Sequence, residues 1–415
     1  MHNFERRGQV LHCEDASLVE LAERFGTPLY VYSRATLTRH FEVFDEAFDG
    51  IDHLVCFAVK ANPSMALLTL LGRLGAGADI VSGGELFRAL RAGIPAERIV
   101  YSGVGKIAAE MEQALEAGIL MFNIESLQEL EALSRVAAAV GKTARIALRV
   151  NPDVDPQTHP YVATGLKHSK FGIEIDTAVE MYQRAAGLDG VEVLGVDCHI
   201  GSQLTELGPF TEAVERLLEL VGALTDRGFA IRYLDLGGGL GITYDTEEPP
   251  LPAEYARAIR QVLDDRGPTL ILEPGRNIAG NAGVLLTRVL YTKQADHKRF
   301  VIVDAGMNDL LRPSLYNAHH GLLPVVDEGR DEVTVDVVGP ICESGDFLAR
   351  ERDLPELRPG ELLAAMSAGA YGFSMASTYN SRPLAAEVLV DGDRAQLIRE
   401  RGTYEDLIRG EIVPG

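Results

Sequence analysis

HLVCFAVKANPSMALLTLLGRLGAGADIVS, residues 53–82, reads as one strand–helix–strand unit. An apolar run, HLVCFAVKA (53–61), leads into a segment of helical spacing, SMALLTLLGRLG, and then into a second short run, ADIVS (78–82). Runs apolar on both faces suit strands covered on both sides, as in a parallel sheet flanked by its crossover helices. The alternation continues outward through RIVYSG (98–103), ILMFNIE (119–125), RIALRVNP (145–152), VEVLGVDCHIG (191–201), IRYLDLGG (231–238) and TLILEPG (269–275). Helical segments fill the intervals, from GGELFRALRAG through KIAAEMEQALEAG, SLQELEALSRVAAAVG, TAVEMYQRAAGL and PFTEAVERLLELVGALTDRG to PAEYARAIRQVLDDRG. RATLTRHFEVFDEAF precedes the first strand. This α/β pattern predicts a closed (β/α)8 TIM-like barrel over residues 34–275, with its active site at the C-terminal ends of the strands. An open doubly wound sheet is the alternative.

After Gly275 the period changes to two, in GVLLTRVLYTKQA, KRFVIVDAG, DEVTVDVVG and PLAAEVLVDG. The strand-like openings GQVLHCEDA and PLYVYS fit this pattern, so a β-rich domain is expected from residues 1–33 and 276–415. Two domains also suit 415 residues, beyond the roughly 250–300 at which a single core stops growing. With 46% hydrophobic and 24% charged residues, the chain has the composition of a globular protein. Its net charge of −22 opposes nonspecific attraction to nucleic acid or to an anionic membrane, so an anionic ligand needs local positive groups. Cys13, Cys56, Cys198 and Cys342 form no C-x-x-C pair for a metal and no disulfide framework. No apolar run approaches the ~20 residues of a membrane span, and the N-terminus lacks the apolar core of a signal peptide. A cytoplasmic location is expected.

Chemistry-bearing residues collect at the expected strand ends. Asp79 and Ser82 fall in the second strand, and Asn123 and Arg149 fall late in the fourth and fifth. Lys60 follows LVCFAV at the mouth of an apolar barrel, where desolvation favours a neutral amine suited to a Schiff base. A lysine that snorkels to solvent or pairs with a carboxylate is the plainer reading. DLGGGLG (235–241) lets backbone amides approach a phosphate, or is a tight turn. Ile242 breaks the dinucleotide fingerprint, and Gly105–Lys106 and Gly141–Lys142 complete no P-loop. A small phosphorylated cofactor fits better than a nucleotide.

Glu273 opens EPGR, where a carboxylate could keep a ring nitrogen protonated, or could simply pair with Arg276. His199 in CHIGSQ could stack on a cofactor, with Ser202 adding a hydroxyl, or could be a histidine satisfied by a carbonyl. CESGDF (342–347), RPSLY (312–316) and GAYGF (369–373) bring a cysteine, an arginine and two tyrosines from the second domain. Cys342 could be an inert buried thiol, Arg312 a surface charge and Tyr371 a core aromatic.

In order, FAVKAN (57–62), HIGSQ (199–203), DLGGGLG (235–241), EPGR (273–276), CESGD (342–346) and GAYG (369–372) resemble the pyridoxal-phosphate decarboxylases with an alanine-racemase-like barrel. The nearest branch is the one acting on meso-2,6-diaminopimelate. The resemblance implies a barrel followed by a β-sandwich domain that takes in the N-terminal strand. It implies that Lys60 carries pyridoxal 5′-phosphate, His199 stacks on its ring and Glu273 pairs with the pyridine nitrogen. Ser202, Gly239 and the backbone of Glu273, Pro274, Gly275 and Arg276 would hold the phosphate. Arg276, Arg312, Tyr316, Glu343 and Tyr371 would contact substrate, Tyr371 also touching the cofactor.

Cys342 would be the proton donor, reaching the site with Glu343 from a second subunit, so that a homodimer shares two sites. The implied reaction yields L-lysine and carbon dioxide, the last step of lysine biosynthesis, without a metal. Phe57 stands where the family often has Tyr, and Thr378 where Asn is expected. An ornithine, lysine or arginine decarboxylase is the enzymatic rival, against which Glu343 argues because ornithine-specific members carry Asp there. An alanine racemase would place an arginine at the ring nitrogen. A noncatalytic pyridoxal-phosphate-binding regulator would not need both Lys60 and Cys342.

Overall fold

In the computed structural model, which describes residues 2–154, 170–263 and 267–415, the expected barrel strands pair in parallel and in sequence order. They run His53–Ala58, Gly77–Ile80, Ile99–Tyr101, Met121–Ile124, Ala144–Asn151, Val191–Asp197, Tyr233–Asp235 and Thr269–Leu272. The last returns to the first, with Leu270 opposite His53 and Leu272 opposite Val55, so the sheet closes. A short strand, Ile173–Glu174, extends the pairing at the end of Ala144–Asn151. The closed barrel, rather than the open doubly wound sheet, is the observed arrangement.

The crossover helices follow local chemistry. Leu127–Val140 begins where the Ser126 side chain accepts the Glu129 N–H and ends at Gly141, whose φ of 63° is in the left-handed region. Leu130, Leu133 and Ala137, at helical spacing, are its buried stripe. The expected helix 252–267 is observed as Pro252–Val262, and residues 264–266 lie outside the described residues.

Inside the barrel the strand period of two builds layers. Cys56, Val100, Met121, Ala147 and Ile271 belong to one buried apolar cluster. Two residues further along those strands stand Ala58, Ser102, Asn123, Arg149 and Glu273. Gly195 and Tyr233 lead by the same step to Asp197 and Asp235, which face each other in register. An apolar floor thus carries a polar ring.

The strands stop earlier than their apolar runs. Lys60 sits in a 3₁₀ turn, Val59–Ala61, just past the first strand, and Ser82 caps the helix Gly83–Arg91 by accepting the Glu85 N–H. In both places the chain leaves the ladder where it must turn over the barrel rim, so side chains expected on strands lie on the connecting loops.

The chain divides into two compact units, one of His40–Ile242 with Glu248–Asn277, the other of Met1–Arg39, Thr243–Glu247 and Ile278–Gly415. In the second unit, Leu29–Ser33 pairs antiparallel with Gly283–Ala295 and parallel with Ala386–Asp391. The N-terminal segment is therefore an interior strand of the C-terminal sheet. Leu29, Val31, Val284, Leu286, Val388 and Val390 supply its core. Among the described residues no helix is long and apolar enough to cross a membrane.

Close approach of strands fixes Gly77 as glycine. A Cβ there would lie 2.2 Å from the Arg98 carbonyl oxygen and 2.8 Å from Cys56 Sγ. Gly77→Ala should destabilise the protein by about 3 kcal/mol, read as a lower urea midpoint.

Candidate active site

The polar ring is a connected network. Asn123 Nδ2 donates to Asp235 Oδ2 at 3.0 Å and to Ser102 Oγ at 3.1 Å, and the Gly237 N–H donates to Asp235 Oδ1 at 3.0 Å. Carboxylate oxygens of Asp197, Asp235 and Glu273 all lie within 4.8 Å of one another, and all three residues are buried. Like charges this close and this dry cannot all ionise. Burial, partly offset by the Gly237 and Asn123 donors, pushes Asp235 up to about 6. Burial and then the neighbouring acids hold Asp197 and Glu273 well above the usual carboxylate range.

Cations border this ring. Lys60 Nζ lies 2.6 Å from Asp79 Oδ2, an ion pair with a buried carboxylate. Arg149 Nη1 donates to Glu125 Oε1 at 3.0 Å, and Glu125 is fixed in turn by the N–H groups of Gly103 and Gly172. Burial opposes the charge of Arg149, but Glu125, Asp197 and Glu273 outweigh it and raise its pKa.

His199 Nδ1 accepts the Gly238 N–H at 3.1 Å, which leaves the ring proton on Nε2. Burial first, then Arg149 and Lys60, hold its pKa well below the usual histidine range, so the ring is neutral. Gly237 and Gly239 have φ of 63° and 113°, and a Cβ on Gly238 would lie 2.4 Å from the Glu273 carbonyl oxygen. The glycine run is therefore a tight turn packed directly on the strand end that carries Glu273, Pro274 and Gly275. Beside it Arg276 Nη2 donates to Ser202 Oγ at 2.9 Å.

The barrel unit thus brings together Lys60, His199, Ser202, Gly239 and Glu273 to Arg276. The β-rich unit carries the other sequence candidates. Arg312 and Tyr316 open and close the short helix Arg312–Tyr316. Arg312 is buried, with its guanidinium 4.5 Å from the centre of the Tyr244 ring, so it is not a surface charge. Tyr371 is half-buried with φ of 56°, a backbone conformation rare for a bulky side chain.

Cys342 and Glu343 are exposed on the loop between Glu332–Val338 and Phe347–Pro355, so Cys342 is no buried thiol. That loop is braced from beneath. Asp346 accepts the N–H groups of Met307 and Ile341, each at 2.6 Å, and the Cys342 N–H donates to Asn380 Oδ1 at 2.7 Å. Nothing in the structure explains Thr378.

A model of the family described as pyridoxal-dependent decarboxylase, pyridoxal binding domain, matches residues 34–280. The chain belongs to the pyridoxal-dependent decarboxylase family. It is similar to a diaminopimelate decarboxylase of Pseudomonas aeruginosa, 56% identical over 411 residues that cover 99% of each protein. Among solved structures, the Helicobacter pylori diaminopimelate decarboxylase complexed with L-lysine matches with a TM-score of 0.91 at 46% identity, covering 94% of this chain and 98% of that one. The enzyme of that name from M. jannaschii, also in complex with L-lysine, matches with a TM-score of 0.95 at 39% identity, covering 99% and 98%.

Reasoning from sequence assigned no role to Asp197, Asp235, Ser102 or Glu125 of this decarboxylase barrel. The strand period of two places Ser102 and Asp235 inward, two positions beyond Val100 and Tyr233, but from sequence alone it does not separate an inward acid from one that caps a turn.

The raised carboxyl of Asp235 has a signed consequence. Its folded pKa of about 6 exceeds the ordinary 3.8, so folding favours its protonated form and wild-type stability is lost as pH rises through that window. In the cofactor-free protein, Asp235→Asn should gain stability relative to wild type between about pH 4 and pH 6, then level off. Urea unfolding across that range is the check; a difference that shrinks with rising pH would contradict the buried-acid account.

Proposed function

We propose that this carboxy-lyase removes one carboxyl group of meso-2,6-diaminopimelate, releasing carbon dioxide and L-lysine, the last step of lysine biosynthesis, and that it works in the cytoplasm with pyridoxal 5′-phosphate. The observation that carries this reading is the barrel mouth, where Lys60 and the buried acid Glu273 border one polar ring. Relatives of that name, more than half identical over almost the whole chain, support the substrate.

The residues present fit the cofactor. A guanidinium, a hydroxyl and a glycine turn suit a phosphate, and a buried acid suits a ring nitrogen that carries a proton. Ser202, Gly239 and the backbone from Glu273 through Pro274 and Gly275 to Arg276 would hold the phosphate, with Tyr371 alongside. The barrel, residues 34–275, would be the cofactor-binding domain. Residues 1–33 and 276–415 would supply substrate contacts and the dimer interface.

When bound, pyridoxal phosphate supplies a sink for the electron pair left behind by carbon dioxide. The chain supplies the rest. Lys60 would hold the cofactor through its Nζ, and Asp79 is the carboxylate partner that orients this amine. Glu273 would pair as a carboxylate with the ring nitrogen and hold a proton there, the positive ring then favouring ionisation of an acid that burial otherwise keeps protonated. Neutral His199 offers a flat face without adding a positive charge. Arg276 and Arg312 take carboxylates, Tyr316 and Tyr371 complete the substrate contacts, and Glu343 takes the remote ammonium. The Cys342 thiol returns a proton to the carbon that lost its carboxyl group. Exposure of Cys342 and Glu343 on a braced loop supports their delivery to a second copy's site, so the working unit is a homodimer.

Two measurements test this. Carbon dioxide release should favour meso-diaminopimelate over L-ornithine, L-lysine and L-arginine at equal concentration; a preference for any of the last three would sink the substrate assignment. Wild type should be yellow and bleached by borohydride, whereas Lys60→Ala should be colourless and inactive.

Shared sites make a separate prediction. Lys60→Ala and Cys342→Ala subunits, each inactive alone, should recover about a quarter of wild-type activity when mixed and allowed to exchange, because half the dimers then hold one intact site of two. No recovery after proven exchange would refute composite sites.

A further inference from the structure

We infer that His320 is a positioning residue that, through Arg312, makes the site select ligands with a carboxylate at the end remote from the reacting carbon. The inference rests on the proposed contact of Arg312 with a substrate carboxylate, taken here as the one remote from the reacting carbon.

Arg312 Nη1 lies 2.9 Å from His320 Nε2. A guanidinium only donates, so Nε2 accepts and carries no proton. The ring proton is then on Nδ1, which lies 2.8 Å from the Met366 carbonyl oxygen and donates to it. His320 is fully buried, and this pair of contacts fixes both its tautomer and its ring plane. Tyr244 closes the arrangement, its ring edge-on to His320 at 5.4 Å and at 80°, with its face 4.5 Å from the Arg312 guanidinium. The Tyr244 backbone is itself anchored, its N–H donating to Glu247 Oε2 at 3.0 Å and its carbonyl lying 3.1 Å from His319 Nδ1.

Two of the groups that orient this cation, a ring nitrogen and an aromatic face, are neutral. Both restrain the side chain without cancelling its charge, unlike the carboxylate that anchors Arg149. A pre-aimed guanidinium loses less rotamer entropy when it takes an anion, so the restraint appears as affinity for carboxylate-bearing ligands.

The test uses the cofactor-loaded enzyme and two ligands that differ by that carboxylate, L-lysine and cadaverine, titrated against the absorbance of the bound cofactor. Wild type should bind L-lysine at least about tenfold more tightly than cadaverine. His320→Leu should cut that preference about tenfold while leaving cadaverine affinity unchanged, and His320→Gln, whose Oε1 can replace Nε2 as acceptor, should restore most of it. If the leucine variant does not fold, Tyr244→Leu against Tyr244→Phe reads the same preference, lost in the first and kept in the second. Equal weakening of both ligands, an unchanged preference, or a glutamine variant no better than leucine would overturn the role of His320. A wild type without preference would instead overturn the assignment of Arg312, and the inference with it.

Discussion

Asp197, Asp235 and Glu273 are held out of water within one another's reach, and much of the barrel's upper layer answers to that constraint. Isolated buried carboxylates are costly, so such groups keep protons, gather donors or sit beside cations. All three remedies are present. Asp235 collects the Gly237 N–H and an Asn123 amide hydrogen, Lys60 and Arg149 stand nearby with their own carboxylates, and Glu273 and Asp197 stay protonated well above the usual range. A ring nitrogen bearing a proton relieves the same constraint, which is why the acid layer and a pyridine cofactor suit each other.

Closure of the barrel is what makes the constraint possible. A parallel sheet buried on both faces alternates its side chains, so the step of two that builds an apolar floor from Cys56, Val100, Met121, Ala147 and Ile271 also determines which side chains form the next layer. Placement of the polar ring is then inherited from packing. A slip of one residue in any strand would turn its polar group outward and its outer apolar residues into the barrel.

Much of this was legible in the sequence, and the exceptions have physical reasons. Eight buried strands announce themselves as apolar runs, and the strand Leu29–Ser33 is as apolar as its partners in the C-terminal sheet. Lys60, His199 and Glu273 could be placed at the barrel mouth because each follows such a run. Asp197 and Asp235 were not, since one acid closing a strand looks the same whether it caps a turn or faces inward. Thr243–Glu247, which joins the β-rich unit from within the barrel sequence, carries no periodicity to betray it. Likewise His320 is one of two adjacent histidines, His319 and His320, and only the contacts of its two ring nitrogens separate it from its neighbour.

The excess of acidic residues poses a last question, how a chain of net charge −22 would receive the anionic ligands proposed for it. Exposed charges are screened by salt within about 8 Å at physiological ionic strength, whereas buried charges are screened much less. Arg149, Arg276 and Arg312 are all buried. Each is held by a short contact, to Glu125, to Ser202 and to His320 respectively, so its field acts from a fixed point. Arg149 is neutralised by its partner and serves the acid ring. Among the contacts of Arg276 and Arg312 are a hydroxyl and a neutral imidazole, which help orient them without pairing their charge. The overall charge therefore acts at a distance and is screened, while buried guanidiniums act at contact from fixed points.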